Sequence, residues 1–152
     1  MIENRISDRA KILLIDEDTS ISYLIRRAME KENYKIYIAG SGKQGMEMST
    51  GVCPDLILMD NKFSDMEGIT LIQWFREWTD CPIIILSERS SYLDKVEALY
   101  AGADDYMVKP VNVNEMVLRV GALLRRAQIL NEHKIVIGST EFDYDAMTVI
   151  TE

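Results

Sequence analysis

Histidine and cysteine are nearly missing from this sequence. One histidine, His133, and two cysteines, Cys53 and Cys81, occur among 152 residues. The cysteines form no CxxC pair and have no histidine nearby, so a zinc site of the Cys/His type is excluded on ligand count. Catalysis through a Ser-His or Cys-His couple would rest on that single histidine, which sits late in a polar stretch. The two thiols read as reduced, half-buried small residues. No run approaches the roughly 18 apolar residues of a membrane helix, and the opening MIENRISDRAK has no secretory hydrophobic segment. These absences predict a soluble, cytoplasmic protein with no membrane partner. Basic charge is also short: 17 Lys and Arg stand against 25 Asp and Glu, net −8. Nucleic-acid surfaces carry a basic excess, so this stretch alone is a poor DNA binder.

What is present is a globular composition, 47% apolar and 28% charged, long enough to bury a core without disulfide or metal staples. Short apolar runs alternate with amphipathic stretches. KILLID (11–16), KIYIA (35–39), DLILMD (55–60), PIIILS (82–87) and DDYMVK (104–109) read as strands, the third and fourth announced by Pro54 and Pro82. Between them, 19–32 is helical by the spacing of Ile21, Leu24, Ile25 and Ala28, with Asp18 or Thr19 as cap. Further helices are expected over 42–50, ended by Gly51, and over about 67–78, 91–101 and 113–127. Strict alternation implies right-handed crossovers and a parallel sheet with helices on both faces. Near-continuous apolar strands fit burial on both sides. The expected class is therefore α/β, a doubly wound five-stranded parallel sheet with helices on both faces, followed by a short β-rich tail.

In such sheets ligands bind beyond the carboxyl ends of the strands. The first strand ends in Asp16-Glu17-Asp18, the third in Asp60, the fourth in Ser87 and the fifth in Lys109-Pro110. Crowded carboxylates repel one another, and a hard divalent cation relieves the repulsion. An all-oxygen ligand set suits Mg²⁺. A carboxylate can attack phosphorus to give an aspartyl phosphate, provided metal, Lys and hydroxyl donors neutralise the phosphoryl oxygens. Asp60 as nucleophile, Mg²⁺ on Asp16, Glu17 and Asp60, Ser87 donating a hydrogen bond and Lys109 forming an ion pair would meet those needs. Each residue has a plainer reading: an Asp after a strand often caps the next helix, and a Lys before Pro is often a surface charge. Their coincidence on one rim favours the chemical reading.

KILLIDED…DLILMD…IIILS…GADDYMVKP resembles the receiver domain of two-component response regulators over about residues 11–126. The likeness includes Gly68 eight residues after Asp60, and Tyr106 before Lys109-Pro110. It implies a flavodoxin-like strand order, 2-1-3-4-5, and that Asp60 accepts a phosphoryl group from a sensor histidine kinase. It further implies that Asp16, Glu17, Asp60 and the Lys62 backbone carbonyl hold Mg²⁺, and that Ser87 and Tyr106 switch rotamer together. A narrower likeness to the OmpR/PhoB-type subfamily implies a homodimer through the fourth helix, fifth strand and fifth helix. Lys95 would pair with Glu115, Asp105 with Arg119 and Asp104 with Arg126 across a two-fold axis. The plainer alternative is an i, i+4 pair between Glu115 and Arg119. The expected organisation is an extension (1–10), a receiver domain (11–127), a linker (128–133) and the cut start of a winged-helix DNA-binding domain (134–152). DNA contact would then come only from residues beyond this chain.

Some positions depart from the family pattern. Glu17 stands where Asp is common, Ser64 where Pro is usual, Glu88 where a small residue is usual and Val111 where an aromatic is usual. Lys62 adds an ammonium beside the acidic pocket. These bear on the switch, not the fold, and leave a second reading, an atypical receiver that acts without phosphorylation. A third reading is a haloacid-dehalogenase-type phosphatase. Asp16 would be its nucleophile and Asp18 its general acid, from the near match of Asp16-Glu17-Asp18-Thr19-Ser20 to that motif.

Overall fold

Each apolar run becomes a strand, and each intervening stretch a helix. The computed structural model describes residues 9–88 and 91–140. In chain order the elements are β1 (Lys11–Ile15), α1 (Thr19–Lys31), β2 (Lys35–Ala39), α2 (Gly42–Val52) and β3 (Leu56–Asp60). There follow α3 (Gly68–Arg76), β4 (Ile83–Ser87), α4 (Tyr92–Ala101), β5 (Asp105–Val108) and α5 (Val113–Thr140). All neighbouring strands pair parallel, in the order β2-β1-β3-β4-β5. This is the doubly wound sheet that the alternation predicts.

The two-residue side-chain period of a strand divides the core. Leu13, Ile15, Ile57, Met59, Ile83 and Ile85 pack toward Leu71, Ile72, Phe75 and Ala98, on the side of α2, α3 and α4. Ile12, Leu14, Leu56, Leu58, Ile84 and Leu86 pack toward Ile25, Met29, Met116, Val120 and Leu123 of α1 and α5. Burying one such aliphatic side chain stabilises the fold by roughly 1.5–3 kcal/mol, which is why the central strands β1, β3 and β4 are apolar on both faces.

The helix ends follow local chemistry. The Asp18 carboxylate accepts from the Ser20 and Ile21 amides and caps α1. Ser41, Ser91 and Asn112 cap α2, α4 and α5 in the same manner. Gly51 does not end α2, because one glycine costs a helix only about 1 kcal/mol. The stop is Cys53, left-handed at φ 53°, ahead of Pro54, which disfavours the helical conformation in the residue before it. A Cβ on Gly68 would lie 2.6 Å from the Asn61 carbonyl oxygen, which accepts from the Gly68 amide at 2.9 Å. Only glycine allows α3 to start so close to the end of β3.

One expectation fails at the C-terminal side. The backbone stays helical through 128–140, where the sequence reading expects a linker and then a first short strand. Ile135, Val136 and Ile137 favour strands, but a strand needs a neighbour to complete its hydrogen bonds, whereas a helix completes its own. No proline interrupts this stretch. The rest of the expected β-rich tail, 141–152, and most of the 1–10 extension lie outside the described residues. Among the described residues no helix is long and apolar enough to cross a membrane.

Cys53 and Cys81 precede β3 and β4, at the amino edge of the sheet. Burial pushes the Cys81 thiol up to about 11, so it is protonated at neutral pH, whereas Cys53 is exposed. Iodoacetamide at neutral pH should modify Cys53 first, and Cys81 should become reactive only as the pH approaches 11. Peptide mass spectrometry over a pH series checks the order.

Candidate functional site

The carboxyl edge of the sheet gathers side chains from four strand ends. β1 and β3 are adjacent, with Ile15 beside Met59, so Asp16 and Asp60 emerge next to each other. β4 and β5 follow, with Ser87 beside Val108, and the Lys109 amide donates to the Ser87 carbonyl at 2.8 Å. The Asp16 amide is anchored to the Ala39 carbonyl of β2 at 3.0 Å. These backbone bonds set the positions from which the side chains reach inward.

The Lys109 ammonium binds both aspartates. Nζ lies 2.9 Å from Asp16 Oδ2 and 3.1 Å from Asp60 Oδ2. The Asp16 side chain is 1% exposed, that of Lys109 7% and that of Asp60 22%, so of the three Asp60 is the one open to an incoming group. The remaining oxygens are also engaged: Asp16 Oδ1 accepts from the Asp18 amide at 2.9 Å and Asp60 Oδ1 from the Asn61 amide at 2.6 Å. Burial raises the Asp16 pKa against the pull of the Asp18 amide and of Lys109. Burial also opposes the charge on Lys109, but the two carboxylates outweigh it and hold the ammonium above its usual range.

Asp16, Glu17, Asp60, Lys62, Ser87 and Lys109 line one cleft of about 520 Å³, with Asp18, Phe63, Ser64 and Glu88. Ser87 is buried. Tyr106 does not line the cleft; it is buried beside Ile85, in the core under α3 and α4. The ammonium that reaches Asp16 and Asp60 belongs to Lys109, while Lys62 is exposed on the loop after β3.

The expected metal ligands are not assembled as a set. Among the described residues no three His, Cys, Asp or Glu side chains lie together closely enough to hold a metal ion. Glu17 is occupied elsewhere: Oε2 accepts from the Ser64 amide at 2.8 Å and Oε1 from the Ser64 hydroxyl at 3.1 Å. The sequence marks Ser64 as unusual but carries no sign of this contact, because the partners are 47 positions apart. The role of Asp65 was likewise not legible. Its carboxylate accepts from the Gly42 and Lys43 amides at the start of α2, and those bonds hold its pKa down.

The residues expected at a dimer contact lie away from the cleft. Within the single chain Arg119 binds Asp105 at 2.7 Å and Glu115 at 2.6 Å, so the Asp105 pairing is made inside the molecule, together with the plainer i, i+4 pair. Asp104 binds Arg76 at 2.9 Å, not Arg126. That guanidinium also holds the Gly102, Thr79 and Cys81 carbonyls, so Asp104 completes a clamp at the opposite edge of the sheet. The phosphatase reading finds no support: Asp18, its general acid, is spent on the α1 cap, accepting from the Ser20 amide and hydroxyl and the Ile21 amide.

Comparison with known proteins places this geometry. The family model described as response regulator receiver domain matches residues 12–121, and the chain belongs to that family. It is 34% identical over 142 residues to the response regulator ArlR of Staphylococcus saprophyticus, covering 93% of this chain and 64% of ArlR. To the transcriptional regulatory protein ResD of Bacillus subtilis it is 34% identical, covering 96% of this chain and 64% of ResD. The chain thus spans less than two thirds of the length of these relatives. Among solved structures, a two-component response regulator from Clostridium difficile superposes with a TM-score of 0.77 at 30% identity, over 78% of this chain and 98% of that one. The BeF3-activated N-terminal receiver domain of Klebsiella pneumoniae RstA superposes at 0.73 with 26% identity, over 76% and 98%.

Replacing Lys109 by Met leaves two adjacent carboxylates, one of them buried, with no cation. Breaking a buried pair in this way costs about 3 kcal/mol. Burial already raises the Asp16 pKa, so its charged form is the one the fold disfavours. The deficit should therefore be largest at neutral pH and shrink as acid protonates Asp16. Urea unfolding of both proteins at neutral and acid pH checks the sign.

Proposed function

We propose that Asp60 is the phosphoacceptor of this receiver domain, loaded by a sensor histidine kinase with Mg²⁺ as cofactor. The observation that carries the reading is the Lys109 ammonium, 2.9 Å from Asp16 and 3.1 Å from Asp60 in one cleft. In the transfer, an Asp60 oxygen bonds to phosphorus while the P–N bond of the donor phosphohistidine breaks. Its electron pair returns to the imidazole, which picks up a proton. Lys109 then meets the negative oxygens of the transferred group, and Ser87, at the end of β4, offers a hydroxyl. Tyr106 follows Ser87 as the second switch residue, by the family likeness.

The donor types suit Mg²⁺, with Glu17 still to turn from Ser64. Asp16, Asp60, Glu17 and the Lys62 carbonyl are all oxygen donors on one rim, and Asp16 and Asp60 already converge on a cation. Mg²⁺ bound there would supply charge neutralisation at the phosphoryl oxygens. The chain's contribution is to keep Asp16 buried and ionisable beside Lys109 and to leave Asp60 open.

The output we propose is that of an OmpR/PhoB-type transcription regulator acting in the cytoplasm. Its effector domain would follow α5 and bind DNA through residues beyond this chain. Dimerisation would use α4, β5 and α5, which carry exposed apolar side chains at Leu93, Val96, Val108 and Leu118 beside Lys95, Asp104, Asp105, Glu115, Arg119 and Arg126. In a dimer Arg119 would exchange its internal partners for those of the second copy. Such pairs set register and partner choice more than affinity.

Incubation with acetyl phosphate and Mg²⁺ should add one phosphoryl mass to the intact protein. The gain should vanish in Asp60→Asn and persist in Asp80→Asn; retention in Asp60→Asn would refute the assignment. With beryllofluoride, light scattering should report a shift toward a dimer, reduced in Arg119→Glu. An unchanged monomer mass would remove the proposed interface.

A further inference from the structure

The loop between β3 and α3 is fastened at several points. The Phe63 amide donates to the Met66 carbonyl at 3.0 Å, Lys62 and Glu67 form a short antiparallel bridge, and Phe63 is buried. Asp65 ties the loop to the start of α2 through the Gly42 and Lys43 amides. A loop held in this way presents Ser64 at a fixed position. There its amide and hydroxyl take both carboxylate oxygens of Glu17, at 2.8 and 3.1 Å. Glu17 lines the same cleft as Asp16 and Asp60, yet the three do not assemble as a metal-holding group.

We propose that Ser64 is a latch on Glu17, a positioning residue that sets how much Mg²⁺ is needed before the Asp60 site is competent. This rests on the reading of Asp60 as a Mg²⁺-dependent phosphoacceptor. An oxygen that accepts a charge-assisted hydrogen bond must give up that bond, or share it, before it serves a cation. Mg²⁺ demands near-ideal octahedral geometry and sheds water reluctantly, so a ligand already engaged raises the concentration required. When Glu17 turns to the metal, the loop loses its tie to the β1–α1 junction but keeps Asp65 on α2. Metal binding is thereby reported along the loop toward α2.

Calorimetric titration of the whole chain with MgCl₂ tests this. Ser64→Ala deletes the hydroxyl and should tighten Mg²⁺ binding roughly threefold to tenfold, the range for one ordinary hydrogen bond at an exposed position exchanged for water. Ser64→Pro deletes the hydroxyl and the amide donor and should tighten it further, whereas Ser64→Thr keeps both and should match the parent. In ¹⁵N NMR spectra the Ser64 amide should move as Mg²⁺ is added, saturating with the calorimetric affinity. Equal affinities in the parent and Ser64→Ala, or a Ser64 amide unmoved at saturation, would overturn the latch and leave the Mg²⁺ site standing. Absence of binding by any of these proteins would overturn the Mg²⁺ reading itself. If circular dichroism finds Ser64→Pro unfolded, Ser64→Ala and the amide shift decide.

Discussion

Two aspartates that would repel each other are reconciled by one ammonium, and the carboxyl edge of the sheet is built around that contact. Adjacency of β1 and β3 forces Asp16 and Asp60 together, and the reach of Lys109 from β5 makes the pair tolerable. Counting Glu17, the formal charges of these four residues sum to −2, a charge that one divalent cation cancels. A buried pair of this kind adds little net stability over an apolar replacement. Its value lies in poise: two charges are buried and the third, on Asp60, is left open to a group that brings its own. Lys109 kept cationic, with Asp60 more open than Asp16, is the arrangement on which the proposed phosphoryl transfer rests.

The remainder of the molecule holds that contact in place. Strands buried on both faces cannot shift by one residue without exchanging their two apolar sets, so the strand ends keep fixed heights. The Asp16-to-Ala39 and Lys109-to-Ser87 backbone bonds extend this rigidity one residue past the sheet. Gly68 lets α3 begin against Asn61, which pulls the loop after Asp60 tight enough for Ser64 to meet Glu17. The two cysteines and the Arg76 clamp sit at the other edge, where they bear on folding and not on the cleft.

The strands, the helices and the rim of the site were legible because they rest on short-range pattern. Apolar runs such as KILLI and IIIL mark buried parallel strands, and the strand-end rule then collects Asp16, Asp60, Ser87 and Lys109. Contacts between distant loops were not legible. Nothing near Ser64 indicates Glu17, and nothing near Asp65 indicates the α2 amides. Two charge pairs were legible, Glu115 with Arg119 by their spacing and Asp105 with Arg119 as partners, but the closure of the second within one chain depends on how β5 faces α5. The helical course of 128–140 was missed because Ile135, Val136 and Ile137 look like a strand by composition, while the choice between states turns on whether a pairing partner exists.

Glu17 and Ser64 make sense as a matched pair more than as two separate departures from the family pattern. An aspartate at 17 would be one methylene shorter and less able to span to the loop. A proline at 64 would offer neither the amide nor the hydroxyl that Glu17 now uses. Each residue gives the other its use, so the pair forms one device added to a shared scaffold. The contact leaves Asp16, Asp60 and Lys109 untouched, because those three are satisfied by one another and by the Asp18 and Asn61 amides. The change therefore falls on the one carboxylate of the expected set that has no part in the ion-pair cluster. On the proposed reading, metal affinity is adjusted at Glu17 and Ser64 while Asp60 keeps its own contacts.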